Sequence, residues 1–173
     1  MIENLHRLES ILGYSFRRPE ILERAVTHSS AANEKKDSAS HDNEQMEFLG
    51  DSLVGFIISD FLFREHTGLS EGELSKVRAH LVSSANLSKL GRQLEIGEFL
   101  VLGKGEEKTG GRRKQALLAD AFEALVAAIY LDGGLESARE FLLRVFKPDL
   151  DIVASGSLQF KDCLLYTSDA ADE

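Results

Sequence analysis

Apolar residues recur at intervals of three and four along almost the whole chain, and no segment sustains the apolar–polar alternation of a half-buried strand. Only two prolines, Pro19 and Pro148, punctuate the pattern. Such a chain is expected to fold as an all-α bundle. Helices are predicted through "ENLHRLESIL", stopping near Gly13, and from Pro19, which a first turn tolerates, through "PEILERAVTHSS". Residues 31–42 read as a loop, with Asp42 or Asn43 capping a long helix from about 44 to 66. A helix from about 71 and another beginning near "SSAN" follow, and then "LGKGEEKTGGRRKQ", glycine-rich and charged, reads as a loop. The helix through "ALLADAFEALVAAIYLD" is expected to end at Gly133-Gly134, and the last, "LESAREFLLRVF", to stop before Pro148.

The opening of the long helix, "NEQMEFLGDSLVGF", places Glu44, Glu47 and Asp51 at the head of one of the most apolar stretches in the chain. At about 100° per residue the three fall within about 60° of one another and share a face. Downstream, Leu53, Val54, Phe56, Ile57, Ile58, Phe61, Leu62 and Phe63 make the helix apolar nearly all round, which predicts cover on every side. A second apolar helix carries Asp120 and Glu123, again three apart and on one face. Carboxylates on buried helices are costly to ionise unless they are paired or hold a cation. Two such helices would line a site with oxygen, the ligand that hard divalent ions such as Mg²⁺ prefer. The helix dipole would account for Glu44 or Glu47 taken singly, but not for Asp51, Asp120 and Glu123.

A site of this kind serves phosphoryl chemistry, where divalent ions activate water and stabilise the leaving oxygen. The stretch "GKGEEKTGGRRK" gathers Lys104, Lys108, Arg112, Arg113 and Lys114 just ahead of Asp120. Guanidiniums on a glycine-rich loop suit a nucleic-acid backbone, with a solvated surface as the competing explanation. Twenty Lys and Arg against 29 Asp and Glu, a net charge of −9, argue against a surface that coats nucleic acid generally. Carboxylates gathered round a divalent cation do not repel phosphate as free ones would. The single cysteine, Cys163, can form neither an internal disulfide nor a zinc site alone. No charge-free run of 18 apolar residues and no basic-then-apolar leader is present, so a soluble, cytoplasmic protein with no membrane partner is expected.

These residues carry a resemblance. "NEQMEFLGDSLV" resembles the signature of ribonuclease III, the double-stranded-RNA endonuclease, and "LGYSFRRPEILERAVTHSS", "EGELSKVRAHLVS" and "LGKGEEKTGGRRKQALLADAFEALVAAIYLDGG" stand in that family's order and spacing. The resemblance covers residues 1 to about 150 and implies the ribonuclease III endonuclease-domain fold, a helical bundle around a long central signature helix. It implies Glu47, Asp120 and Glu123 as metal ligands for Mg²⁺, with Mn²⁺ as a substitute, and Asp51 and Glu123 as the catalytic pair nearest the water. Glu44 and Glu71 match two further acids lining the cleft. Lys104, Lys108, Arg112 and Arg113 are the candidates for RNA-backbone contact. The resemblance further implies hydrolysis to 5′-phosphate and 3′-hydroxyl ends by a homodimer without organic cofactor, with Phe48 packed into the partner; core packing within one chain is the alternative for Phe48.

His28 in "VTHSS" fits a hydrogen-bonded packing residue better than a ligand, and "His41-Asp42" matches the HD-type phosphohydrolases over only two residues. An all-α nucleotide pyrophosphatase also uses paired acids, but here the pairs lie far apart and the second reads D-x-x-E. A non-catalytic RNA-binding relative would have lost acids that this chain keeps. A catalytic domain is expected over residues 1–152, with 153–162 a linker and the first residues of a double-stranded-RNA-binding domain. Residues 163–173, "CLLYTSDAADE", fit no such domain and are expected to be a truncation or junction product; without the rest of that domain, weaker and more salt-sensitive cleavage is expected.

Overall fold

A computed structural model describes residues 2–34 and 42–154. The described residues are almost wholly helical: α1 (Ile2–Leu12), α2 (Pro19–Ala25), α3 (Ser29–Glu34), α4 (Glu44–Glu65), α5 (Glu71–Leu81), α6 (Ser84–Gln93), α7 (Ile96–Phe99), α8 (Lys104–Lys108), a 3-10 turn at Gly111–Arg113, and α9 (Gln115–Ala154). No helix among them is long and apolar enough to cross a membrane.

The longest two helices, α4 and α9, pack on each other more extensively than any other pair. Their crossing is close because the facing residues are small. A Cβ on Gly50 would lie 2.0 Å from the Glu123 carbonyl oxygen, well inside contact distance, and α9 carries Ala121, Ala124, Ala127 and Ala128, all fully buried. Phe122, Phe141 and Phe146 fill the centre, with ring centroids 6.1 and 6.2 Å apart in the two pairs that Phe122 makes. The two helices thus meet at the acids: Gly50 lies between Glu47 and Asp51, and its contact is the backbone of Glu123.

Gly134, with φ +83° and ψ −179°, breaks α9 where the glycine pair predicts, because few residues other than glycine adopt that backbone. Beside the break, the buried Asp132 accepts hydrogen bonds from Tyr14 Oη at 2.9 Å, the Arg17 N–H at 3.0 Å and the Arg18 N–H at 3.1 Å. Burial alone would raise its pKa; the Arg17 N–H, the Tyr14 hydroxyl and the Arg18 N–H together hold it below the ordinary carboxylate value. One carboxylate thereby pins the α1–α2 connection to α9.

Several local expectations need correction. The predicted helix over 19–30 stops at Ala25, because Val26 turns out of the helix at φ −97° and ψ 1° and Thr27 forms a parallel bridge with Val101. Residues 31–34, read as loop, complete α3, and the glycine-rich stretch contains α8 and the 3-10 turn. Helix α9 runs past Pro148 to Ala154: Pro148 is exposed, and Phe146, Leu150 and Val153 hold the surrounding turns by burial. Asp42 caps α4, its Oδ1 accepting from the Glu44 N–H at 3.2 Å, whereas the Asn43 side chain bonds back to the Ala25 carbonyl. His41 and the tail from 155 onward, including Cys163, lie outside the described residues.

Helix α4 is not covered on every side. Its buried arc holds Met46, Leu53, Val54, Ile57, Ile58 and Leu62, but Phe48, Phe56 and Phe63 stand 78%, 55% and 73% exposed along another face. Among the described residues no element packs over that face, so core packing does not explain Phe48.

Candidate metal centre

Glu47 projects from the first turns of α4, and Asp120 and Glu123 from the second and third turns of α9; each residue is half-buried. One carboxylate oxygen from each lies within 4.8 Å of the others. The arrangement is electrostatically strained without a cation. Burial raises the pKa of Glu123 from an ordinary 4.5 to about 8, and Asp51, Asp120 and Glu47 add to the rise. Glu47 is raised by burial first, and then by Asp120, Glu44 and Asp51. Burial also raises Asp120, against which the nearby His28 ring acts. Three oxygen donors converging without a counter-charge are the donor set that a hard divalent cation takes, so the residues fit such an ion.

Asp51 lies one turn beyond Glu47, exposed, close enough to bear electrostatically on both Glu123 and Glu47. Glu44, at the start of α4, is exposed and acts on Glu47 alone among the three ligand candidates. Glu71 is not drawn into this group: it opens α5, exposed, and its Oε1 accepts from Ser75 Oγ at 2.9 Å.

The frame around the acids comes from "RAVTHSS". The Val101 N–H donates to the Val26 carbonyl, the His28 N–H to the Val101 carbonyl, and the Asn43 N–H to the Thr27 carbonyl, at 2.9, 3.1 and 2.9 Å. Ser30 Oγ accepts from the Gly103 N–H at 2.9 Å and lies 2.8 Å from His28 Nδ1, which also accepts from the Ser30 N–H. The start of α4 and the segment leading to α8 are therefore tied to one another through this stretch. His28 is a hydrogen-bonded framework residue, as its sequence setting suggests.

The basic candidates divide. Lys104, Lys108 and Arg113 are exposed and make no ion pair among the described residues. Arg112 is committed internally: its Nε reaches Glu107 at 2.8 Å and its guanidinium donates to the carbonyls of Gly97 and Glu98 at 2.9 and 3.3 Å. Lys114 is paired with Glu106 at 2.6 Å. Sequence reasoning could not see Gly50, whose importance rests on a contact with a residue far along the chain.

Crossed helices presenting an oxygen-only acidic cluster define an all-α protein with a candidate divalent-cation site. A family model described as Ribonuclease-III-like matches residues 18–150. The protein named Ribonuclease 3 from Solibacter usitatus is 51% identical over 140 residues, covering 78% of this chain and 52% of the relative, and that from Nitrosococcus oceani is 46% identical over 158 residues, covering 91% and 65%. A solved nuclease domain of ribonuclease III from Campylobacter jejuni, described as flexible in the region involved in dimer formation, superposes with a TM-score of 0.79 at 36% identity, covering 86% of this chain and all of that one. The chain belongs to the ribonuclease III family and has its nuclease-domain fold. It spans roughly half to two-thirds of the length of those two curated relatives.

Proposed function

We propose that residues 1–152 form a Mg²⁺-dependent endonuclease domain that hydrolyses double-stranded RNA to 5′-phosphate and 3′-hydroxyl ends. The convergence of Glu47, Asp120 and Glu123 from two helices carries this reading. These three hold the cation, and Mn²⁺ offers the same oxygen chemistry. When bound, the ion supplies Lewis acidity that acidifies water and offsets charge on the scissile phosphate. Asp51, exposed at the rim, orients the attacking water and takes its proton, with Glu123 completing the catalytic pair; Glu44 supports the rim, and Glu71, apart from the cluster on α5, contacts the RNA. Lys104 and Lys108, exposed and without an ion pair among the described residues, meet backbone phosphates, while Arg113 lines a separate cleft and Arg112 serves by fixing the loop.

The aromatic face of α4 supports a homodimer, since a second copy of the same face would bury Phe48, Phe56 and Phe63. A cytoplasmic role in processing ribosomal precursor and messenger RNA accords with this activity. Phe48→Ala is expected to shift the protein to monomers in sedimentation velocity at concentrations where the parent is dimeric; an unchanged sedimentation coefficient would remove Phe48 from the interface.

The activity is tested by incubating the protein with labelled duplex RNA, single-stranded RNA and nucleoside triphosphates, each with Mg²⁺ and with chelator. Cleavage of the duplex alone, lost on chelation, is expected. Hydrolysis confined to triphosphates would favour a nucleotide pyrophosphatase, and duplex binding without cleavage a non-catalytic relative.

A further inference from the structure

A second polar concavity lies away from the acidic cluster. It is a cleft of about 480 Å³ between α1, α6, α7 and the 3-10 turn, with Leu118 in its wall. Leu118 and Asp120 are about 200° apart around α9, so the cleft and the acids occupy nearly opposite sides of that helix. Four guanidiniums converge on it, in a chain whose net charge is −9.

Two of the four are fixed. Arg7 is ion-paired with Glu95 and sits over the Phe99 ring, 5.4 Å from its centroid. Arg112 is held by Glu107 and the Gly97 and Glu98 carbonyls. The other two have no carboxylate partner among the described residues: Arg92 bonds only Ser88 Oγ, at 3.3 Å, and Arg113 is exposed. Glu98, also in the lining, has a carboxylate with no hydrogen bond or ion pair among the described residues. Glu95 adopts a left-handed backbone, φ +53°, where α6 ends and α7 begins, and this aims its pair with Arg7 into the same space.

We propose that this cleft is a binding site for a nucleoside polyphosphate. Unpaired guanidiniums match phosphate oxygens in forked, charge-assisted hydrogen bonds. A wholly anionic ligand would meet Glu98 unfavourably, whereas a nucleotide presents ribose hydroxyls and base amino groups that this carboxylate accepts. The volume is in the range of pockets that hold ligands of this size. The site is independent of the acidic cluster, which as free carboxylates repels such a ligand. The phosphates could belong to a free nucleotide or to the 5′ end of a single RNA strand, and the two are separated below.

The test is a calorimetric titration of the full chain in chelator, so that the acidic cluster holds no cation. The probes are ATP, inorganic triphosphate, a 5′-phosphorylated single-stranded RNA hexamer and a short polyglutamate. ATP is expected to saturate at one site per chain and to bind more tightly than inorganic triphosphate. The Arg92→Ala/Arg113→Ala double variant is expected to weaken ATP about tenfold or more, with Arg64→Ala, a surface control, leaving it unchanged. Both double-variant positions are exposed, and far-ultraviolet circular dichroism verifies that the fold is kept. Saturation by the 5′-phosphorylated hexamer, lost on removing its phosphate and weakened by the same variant, assigns the site to strand ends. Absence of saturation by either phosphate ligand, equal binding of polyglutamate, or equal weakening by Arg64→Ala overturns the proposal.

Discussion

Glu123→Gln is expected to cut duplex-RNA cleavage by on the order of a thousandfold, because it removes one of three charges that hold the cation and alters a partner of Asp51. The same change should make the metal-free protein more stable at neutral pH. A carboxyl whose folded pKa stands above its unfolded value binds its proton more tightly when folded, so stability falls as pH rises between the two. For Glu123 that interval runs from about 4.5 to about 8, and burial and the neighbouring acids displace Glu47 and Asp120 in the same direction. Metal-free parent should therefore lose melting temperature from pH 5 to pH 8, by the equivalent of a few kcal/mol at most, since residual solvent contact screens half-buried groups. Mg²⁺ should restore that loss in the parent by favouring the ionised forms. In Glu123→Gln the decline should be shallower and the rescue by Mg²⁺ smaller. Scanning calorimetry across this range, with Mg²⁺ and with chelator, measures both; a parent whose melting temperature ignores pH and Mg²⁺ alike would defeat the cation-site assignment.

Gly50→Ala is the substitution expected to damage the fold most. The added methyl would collide with the Glu123 main-chain oxygen, and a backbone atom in the middle of a packed helix cannot step aside as a side-chain end can. The two helices must separate, at a cost on the order of 3 kcal/mol, and the acids move apart with them. Denaturant unfolding should show the loss, with cleavage falling beyond the change in folded fraction. Gly72 in α5 meets nothing within 4 Å where a Cβ would go, so Gly72→Ala should be neutral or slightly stabilising. Equal behaviour of the two variants would show that the close crossing does not govern the site.

How far the sequence could be read follows from the range of each interaction. Helices α1, α4 and α5 and the start of α2 were legible because their signals are local: apolar spacing, Pro19 opening α2, Gly13 after α1. The acids were legible because a charge on an apolar helix contradicts its neighbours and demands a reason. The end of α2 was not, since Thr27 leaves the helix to pair with Val101, and no nearby residue announces that partner. Arg112 looked like a substrate contact for the same reason: the carbonyls of Gly97 and Glu98 that occupy it are invisible in a string of letters. Phe56 and Phe63 were assigned to cover because apolar identity tells nothing of which face the rest of the chain leaves bare.

The four commitments of α4 bear on how freely its sequence can drift. Glu47 and Asp51 answer to the acids of α9, Gly50 to a backbone oxygen, the Met46–Leu62 arc to the core, and the phenylalanines stand outside the chain's own packing. A substitution here has to satisfy charge, volume and exposure at once, whereas α5, exposed over much of its length, can absorb exchanges singly. The stretch "NEQMEFLGDSLVGF" is thus a place where one exchange disturbs site, crossing and surface together.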